Sequence, residues 1–262
     1  MSDEPTEAKS RREGTVSRVL RLLMIFGEHE GQIGVHEISK RSGLPISTVH
    51  RLVNLIADDG FVQYDPTSRM YSPGPQMHRL TAMLWSSGPA VVAQPFLDEL
   101  CRVFDETVVF NLYLPGQHAI SPIAKSEGTR ALRYVLDMNE PLELAWGASG
   151  RSVLAYLDED VVRYVHAAAK PSEAGFPLAD WDDYLDELRV IRERGYAISV
   201  DQRIPGAQGV GAVVVGAHGQ VVGGICITFP RERPLTTFTI EEMGAAIVAA
   251  SRKLGRRLGA EV

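Results

Sequence analysis

The sequence predicts two domains of different class, a winged helix-turn-helix followed by a larger α+β domain with a mostly antiparallel sheet flanked by helices. Three observations carry this reading. The first sixty residues hold three apolar patterns at helical period, each ended by glycine or a glycine-containing break. A short β-prone hairpin follows at once. Beyond it, β-branched runs joined by tight turns are mixed with clustered helices instead of alternating with them, which favours an antiparallel sheet.

The length of 262 residues suits two domains of unequal size, and 45% hydrophobic with 23% charged residues is ordinary for a globular chain able to bury its own core. Cys101 and Cys226 are the only cysteines, too few and too far apart for a disulfide scaffold or a zinc site. No apolar run approaches the length of a membrane span, and the polar segment 1–13 lacks the core of a signal peptide. That segment is expected to be a disordered leader of a cytoplasmic protein, with no cofactor, metal or membrane partner. The net charge of −6 hides an uneven distribution. From Ser39 to Ala57 the charged residues are Lys40, Arg41 and Arg51, with His50 beside them and no acid.

The elements follow in order. Val16, Val19, Leu20, Leu23 and Phe26 mark a first helix to about Glu28. A second, Val35 to Ser42, stops at Gly43, and a third runs from Ile46 to about Asp58 with Val49, Leu52, Val53 and Ile56 on its apolar face. The opposite face of the third helix shows Ser47, Thr48, His50, Arg51 and Asn54, groups that can donate to phosphates or read base edges. Two short helices joined by a tight turn, with such a face on the second, form a helix-turn-helix. Phe61 to Tyr64 and Arg69 to Ser72, around Asp65-Pro66-Thr67-Ser68, make the wing, and Arg69 is placed to reach a DNA backbone. Lys40, Arg41 and Arg69 are the expected phosphate contacts. A polar face that is merely solvated is the plain alternative.

The stretch Ile38 to Pro45 followed by Ser47 to Leu52, together with Leu55, Gly60-Phe61-Val62, Asp65, Tyr71 and Gly74, resembles the helix-turn-helix and wing of the IclR family of bacterial regulators. The resemblance covers this domain and, more loosely, the rest. It implies a repressor or activator acting as a homodimer or homotetramer on a pseudo-palindromic double-stranded operator. It also makes 76–88 a linker helix between a DNA-binding domain at 14–75 and an effector-binding and oligomerisation domain at 89–262.

In that second domain the patterns predict a helix over about 90–105 and strands over 108–114, 119–126 and 132–136. Helices are expected over 148–157, 160–169 and 181–194, strands over 196–200, 209–215 and 220–228, and a last helix over 239–258. The resemblance implies a GAF-like sheet with a ligand pocket on one face. Leu144 to Arg151 leads into a helix through small residues, and exposed amides at a helix start suit an anion. A plain loop-to-helix junction explains the same residues. The resemblance turns this segment, with Trp146, Gly147 and Ala148, into an effector contact, and adds Asp201, Gly209, Cys226 and Thr228. Cys226 and Thr228 alternate by two and so share one face of a strand. With Gly209 and Cys226 as weak hydrogen-bonding partners, and Trp146 and Phe229 nearby, the expected small-molecule effector is a larger or less polar organic acid than the simplest keto acids. Arg203 is either its partner or a surface residue.

No enzyme signature is complete. Gly147-Ala148-Ser149-Gly150-Arg151 carries arginine where a nucleophile elbow needs glycine, and Gly206 to Gly211 precedes a strand where a dinucleotide fingerprint opens a helix. No catalytic residue is therefore nominated. An enzyme, or a purely oligomerising domain, carrying an accessory winged helix is the alternative.

Overall fold

The computed structural model describes residues 14–260 apart from 30, 86–87, 133, 135, 173 and 235–236. The expected leader at 1–13, and Ser86-Ser87 of the expected linker, lie outside the described residues. The chain divides into two compact units, Met1–Ser86 and Ser87–Val262. Among the described residues no helix is long and apolar enough to cross a membrane.

The first unit is built from helices α1 (Thr15–Glu28), α2 (Val35–Ser42) and α3 (Ile46–Asp58), strands β1 (Val62–Asp65) and β2 (Met70–Pro73), and helix α4 (Pro75–Trp85). The apolar stripes of α1, α2 and α3 meet in one core around Phe26, Ile38, Val49, Leu52 and Val53. Gly43 fixes the turn between α2 and α3. It takes the left-handed conformation (φ 68°) that a Cβ disfavours, and its N–H closes on the Ser39 carbonyl at 3.0 Å. Ser42, buried in the turn, accepts from the Leu44 N–H at 3.3 Å, so the polar turn is satisfied internally.

β1 and β2 form the wing hairpin, with Tyr64 opposite Tyr71. The Asp65 carboxylate shapes its turn by accepting from the Thr67 N–H at 2.8 Å and the Ser68 hydroxyl at 2.7 Å. Those bonds, the Ser68 contact foremost, hold its carboxyl below the usual carboxylate range. A single bridge from Ile33 to Tyr71 ties the wing to the segment before α2.

The second unit is a six-stranded antiparallel sheet in the order β5-β4-β3-β8-β7-β6. Its strands are β3 (Thr107–Leu114), β4 (Ala119–Ser126), β5 (Leu142–Glu143), β6 (Ala197–Val200), β7 (Ala207–Val215) and β8 (Val221–Pro230). Helices α5 (Pro89–Phe104) and α9 (Ile240–Arg257) cover one face, where Phe110, Val210, Ile225, Ile227 and Phe229 join their apolar sides. Helices α6 (Gly147–Leu154), α7 (Glu159–Ala168) and α8 (Trp181–Arg194) build the second core on the other side. Strands with period-two patterning between two helical layers need apolar residues on both faces, and β8 supplies them with Ile225 and Ile227 one way and Cys226 the other.

One expectation fails locally, and one short strand has no signal in the sequence. Leu132, Tyr134 and Leu136 are not in a strand, and residues 133 and 135 lie outside the described set. Side chains bond the described residues there: Arg233 donates to the Leu132 carbonyl at 2.8 Å and Thr107 to that of Tyr134 at 3.4 Å. The strand next to β4 is the two-residue β5, too short to show a period.

Candidate functional sites

The outward side of α3 gathers the polar residues singled out in the sequence. Ser47, His50, Arg51 and Asn54 are all exposed and stand at spacings of three and four, hence on one side of the helix, with Thr48 half-buried beside them. The helix starts after Pro45 with no side-chain cap. Lys40 is exposed on α2. Arg41 is also exposed, but its guanidinium pairs with Glu28 of α1 at 3.0 Å. A surface pair of this kind is worth little and exchanges readily for a phosphate. Arg69 is exposed at the wing tip, in a left-handed conformation (φ 57°), with its N–H on the Asp65 carbonyl at 2.8 Å. Thus α3 brings five of the eight nominated residues together, and the other three flank them within the same unit.

The second site is a cavity of about 50 Å³ between α6 and the sheet face opposite α5 and α9. α6 comes close because β7 offers Gly211: a Cβ there would stand 2.6 Å from the Ala148 carbonyl oxygen. Gly147, Ala148, Gly209, Cys226 and Thr228 all line the cavity. Its aliphatic wall is Val109, Pro122, Leu136 and Leu142, and its polar atoms come also from Asn111, Ser149, Ser199 and Gln202.

The amides at the start of α6 are already engaged. Gly147 N–H donates to Gln202 Oε1 at 3.1 Å and Ala148 N–H to Ser199 Oγ at 2.9 Å. Two oxygens of the protein therefore stand where the oxygens of a carboxylate would accept. Arg203, on the same loop as Gln202, lines the cavity while donating to the carbonyls of Glu143 and Trp146, the latter at 2.9 Å. Burial pushes the Cys226 thiol up to about 11, so it is a neutral, weak hydrogen-bonding wall.

Three nominated features lie elsewhere. Trp146 turns away from the cavity: its indole N–H donates to the Lys170 carbonyl at 2.9 Å, and it borders two neighbouring clefts. Asp201 does not line the cavity either. Its carboxylate is taken by the Arg231 guanidinium and the Gly206 N–H, which hold it below the usual range and pin the loop before β7. Phe229 points into the opposite core. The space freed by Gly209 is also filled, since a Cβ there would meet Ser199 Oγ at 3.1 Å and the Ala148 Cβ at 3.3 Å. Neither Trp146 nor Phe229 therefore lines this cavity, whose wall mixes aliphatic side chains with hydroxyl and amide groups. Sequence reasoning passed over Asn111, Ser199 and Gln202, and held Ser149 only as part of the segment Leu144 to Arg151; the one signal for Asn111 was an amide inside the otherwise apolar run Thr107–Leu114.

Comparison with known proteins decides the family. Residues 15–66 match the IclR helix-turn-helix domain, and residues 83–256 match the bacterial transcriptional regulator IclR C-terminal domain. The chain belongs to the IclR family. Among its IclR-family relatives, the HTH-type transcriptional regulator Rv1719 of Mycobacterium tuberculosis is 30% identical over 234 residues, covering 89% of this chain and 88% of that protein. The transcriptional repressor IclR of Escherichia coli is 24% identical, with 92% and 88% covered. An IclR homolog from Microbacterium hydrocarbonoxydans, solved in complex with 4-hydroxybenzoate, shares the fold at a TM-score of 0.73 and 17% identity, with 94% and 99% covered. This IclR-family chain is a DNA-binding transcription regulator, and these relatives are transcriptional regulators.

Proposed function

We propose that this regulator binds a pseudo-palindromic operator as a homodimer, or a tetramer of two such dimers, and that a small carboxylate bound in the α6 cavity changes its operator affinity. The observation that carries the ligand half is the pair of cavity amides, Gly147 and Ala148, whose acceptors are side-chain oxygens that a carboxylate can replace. The small volume and the mixed wall of aliphatic groups and hydroxyls select a short acid. The Microbacterium relative binds a carboxylate, 4-hydroxybenzoate, in the same fold; the ligand size proposed for this chain comes from its own cavity.

On the DNA side, Ser47, Thr48, His50, Arg51 and Asn54 enter the major groove, and Lys40, Arg41 and Arg69 sit on phosphates. An acid-free face on an acidic chain is the support for that assignment. Dimerisation is supported by two apolar stripes that the first unit leaves uncovered. Val16, Leu20 and Met24 on α1 are 72%, 57% and 59% exposed, and Leu80, Met83 and Leu84 on α4 are 48%, 65% and 58% exposed. The protein works in the cytoplasm, where its operator is, and carries no catalysis of its own.

One observation favours a second reading, in which the C-terminal domain only oligomerises: the cavity is small and its amides are already capped. A thermal-shift screen of short carboxylates on the purified chain separates the two. A ligand at about 100 times its dissociation constant adds about 2.7 kcal/mol, enough to raise the melting temperature by a few degrees. A graded set of hits supports the sensor; a flat response across chain lengths supports the oligomerisation domain.

A further inference from the structure

Asn111 is a polar group that the fold does not use. It lies on β3 at 2% exposure, opposite Pro122 of β4 and Gly224 of β8, neither of which offers a polar side chain. Alternation sends Val108 and Phe110 into the core under α5 and α9, and Val109 and Asn111 to the cavity side. The register of β3 on β4 shifts between Phe110 and Asn111, so the local geometry departs from a regular ladder at this residue. The Asn111 carboxamide lines the cavity, no hydrogen bond from it to another described residue is seen, and its polar atoms are not among the fully enclosed ones that lack a partner, so they face the cavity space. Buried polar side chains are nearly always bonded, since water is lost and must be replaced. A valine or leucine would complete the wall formed by Val109, Pro122, Leu136 and Leu142. An amide in that wall, facing an opening, has the form of a recognition contact.

We propose that Asn111 is a specificity-determining residue of this cavity, and that its carboxamide bonds a hydroxyl on the ligand, selecting short hydroxy acids over the plain acids of equal length. A hydroxyl both donates and accepts, so it can use either end of the carboxamide. The carboxylate of such a ligand takes the Gly147 and Ala148 amides, and its carbon chain lies along the aliphatic wall. The proposal rests on the ligand-cavity reading above and adds to it the second polar contact.

The test uses the full chain and two matched pairs of probes, propanoate with 3-hydroxypropanoate and butanoate with 3-hydroxybutanoate, in calorimetric titration. The wild type prefers the hydroxylated member of a pair by at least about tenfold, because a site built around a hydroxyl rejects the analogue without it. In Asn111→Val the preference falls to within about twofold and the ligand-free melting temperature does not drop, since an unbonded amide has been replaced by a packing group. Asn111→Ser keeps part of the preference. If Asn111→Val retains the full preference, or melts several degrees lower without ligand, Asn111 is a structural residue and the proposal is overturned. Equal binding of both members to the wild type overturns this proposal while leaving the cavity a ligand site. No binding of any of the four overturns it together with that reading.

Discussion

Arg51 and Gln202 do opposite things with their charge and polarity. Arg51 is exposed on the face of α3 that carries Ser47, His50 and Asn54. Arg51→Ala is expected to weaken specific operator binding by about 1–3 kcal/mol and relax the sequence preference at one position. Lys40→Ala should instead weaken all duplexes alike and lower the slope of log affinity against log salt by about one. Gel-shift titrations over a salt series distinguish them, and unchanged affinity removes Arg51 from the reading face. Gln202 is spent internally on the Gly147 amide. Gln202→Ala removes a competitor for that N–H and should tighten binding of a short carboxylate several-fold; weaker binding would mean that Gln202 itself contacts the ligand. Thr228→Val should change ligand affinity and leave ligand-free DNA binding as it is. Exposed residues such as Arg51 were legible in the sequence because helix period alone fixes their side. The capping pair Ser199 and Gln202 was not, since they reach α6 from more than fifty positions away. Asp201 and Trp146 fail for a related reason: each satisfies its polar atoms locally, on Arg231 and on the Lys170 carbonyl, before it can turn to the cavity.

At the scale of elements, the outcome follows how much of each element's stability is visible in its own residues. α1, α2, α3, α8 and α9 declare themselves through apolar period, and three of them end or begin with recognisable signals: Gly43 after α2, Gly195 after α8, and the Thr239–Glu242 capping box before α9. Sheet elements depend on partners. The run 132–136 has the pattern of a strand, but its described residues Leu132, Tyr134 and Leu136 are not in one, and Arg233 and Thr107 bond the Leu132 and Tyr134 carbonyls. β5 is set entirely by its pairing with β4. The close seat of α6 on the sheet is a single-residue dependence. Gly211→Ala forces the Ala148 carbonyl away from β7 and should cost about 1–3 kcal/mol, read as a lower melting midpoint with loss of ligand binding. On the other unit, α1 keeps Leu20 outside at 57% exposure. Leu20→Glu should shift the sedimentation profile toward monomer and abolish cooperative operator binding without lowering the melting temperature; an unchanged profile would move the dimer contact off α1.

For the whole molecule, two units with separate cores must exchange information if the protein is a sensor. A ligand can do this only by binding one arrangement of the dimer more tightly than another, and the operator must then feel the same coupling in return. A carboxylate that takes the Gly147 amide removes the Gln202 bond to α6, and that loss is the local event from which the change begins. The measurement that tests this most directly is the affinity for a duplex operator, selected from a random pool, by fluorescence anisotropy at fixed salt with and without the acid that most raises the melting temperature. The expected change is at least about fivefold, within the usual range of allosteric coupling, and it is lost in Thr228→Val. An acid that binds the cavity and stabilises the protein, yet leaves operator affinity unchanged, would contradict it.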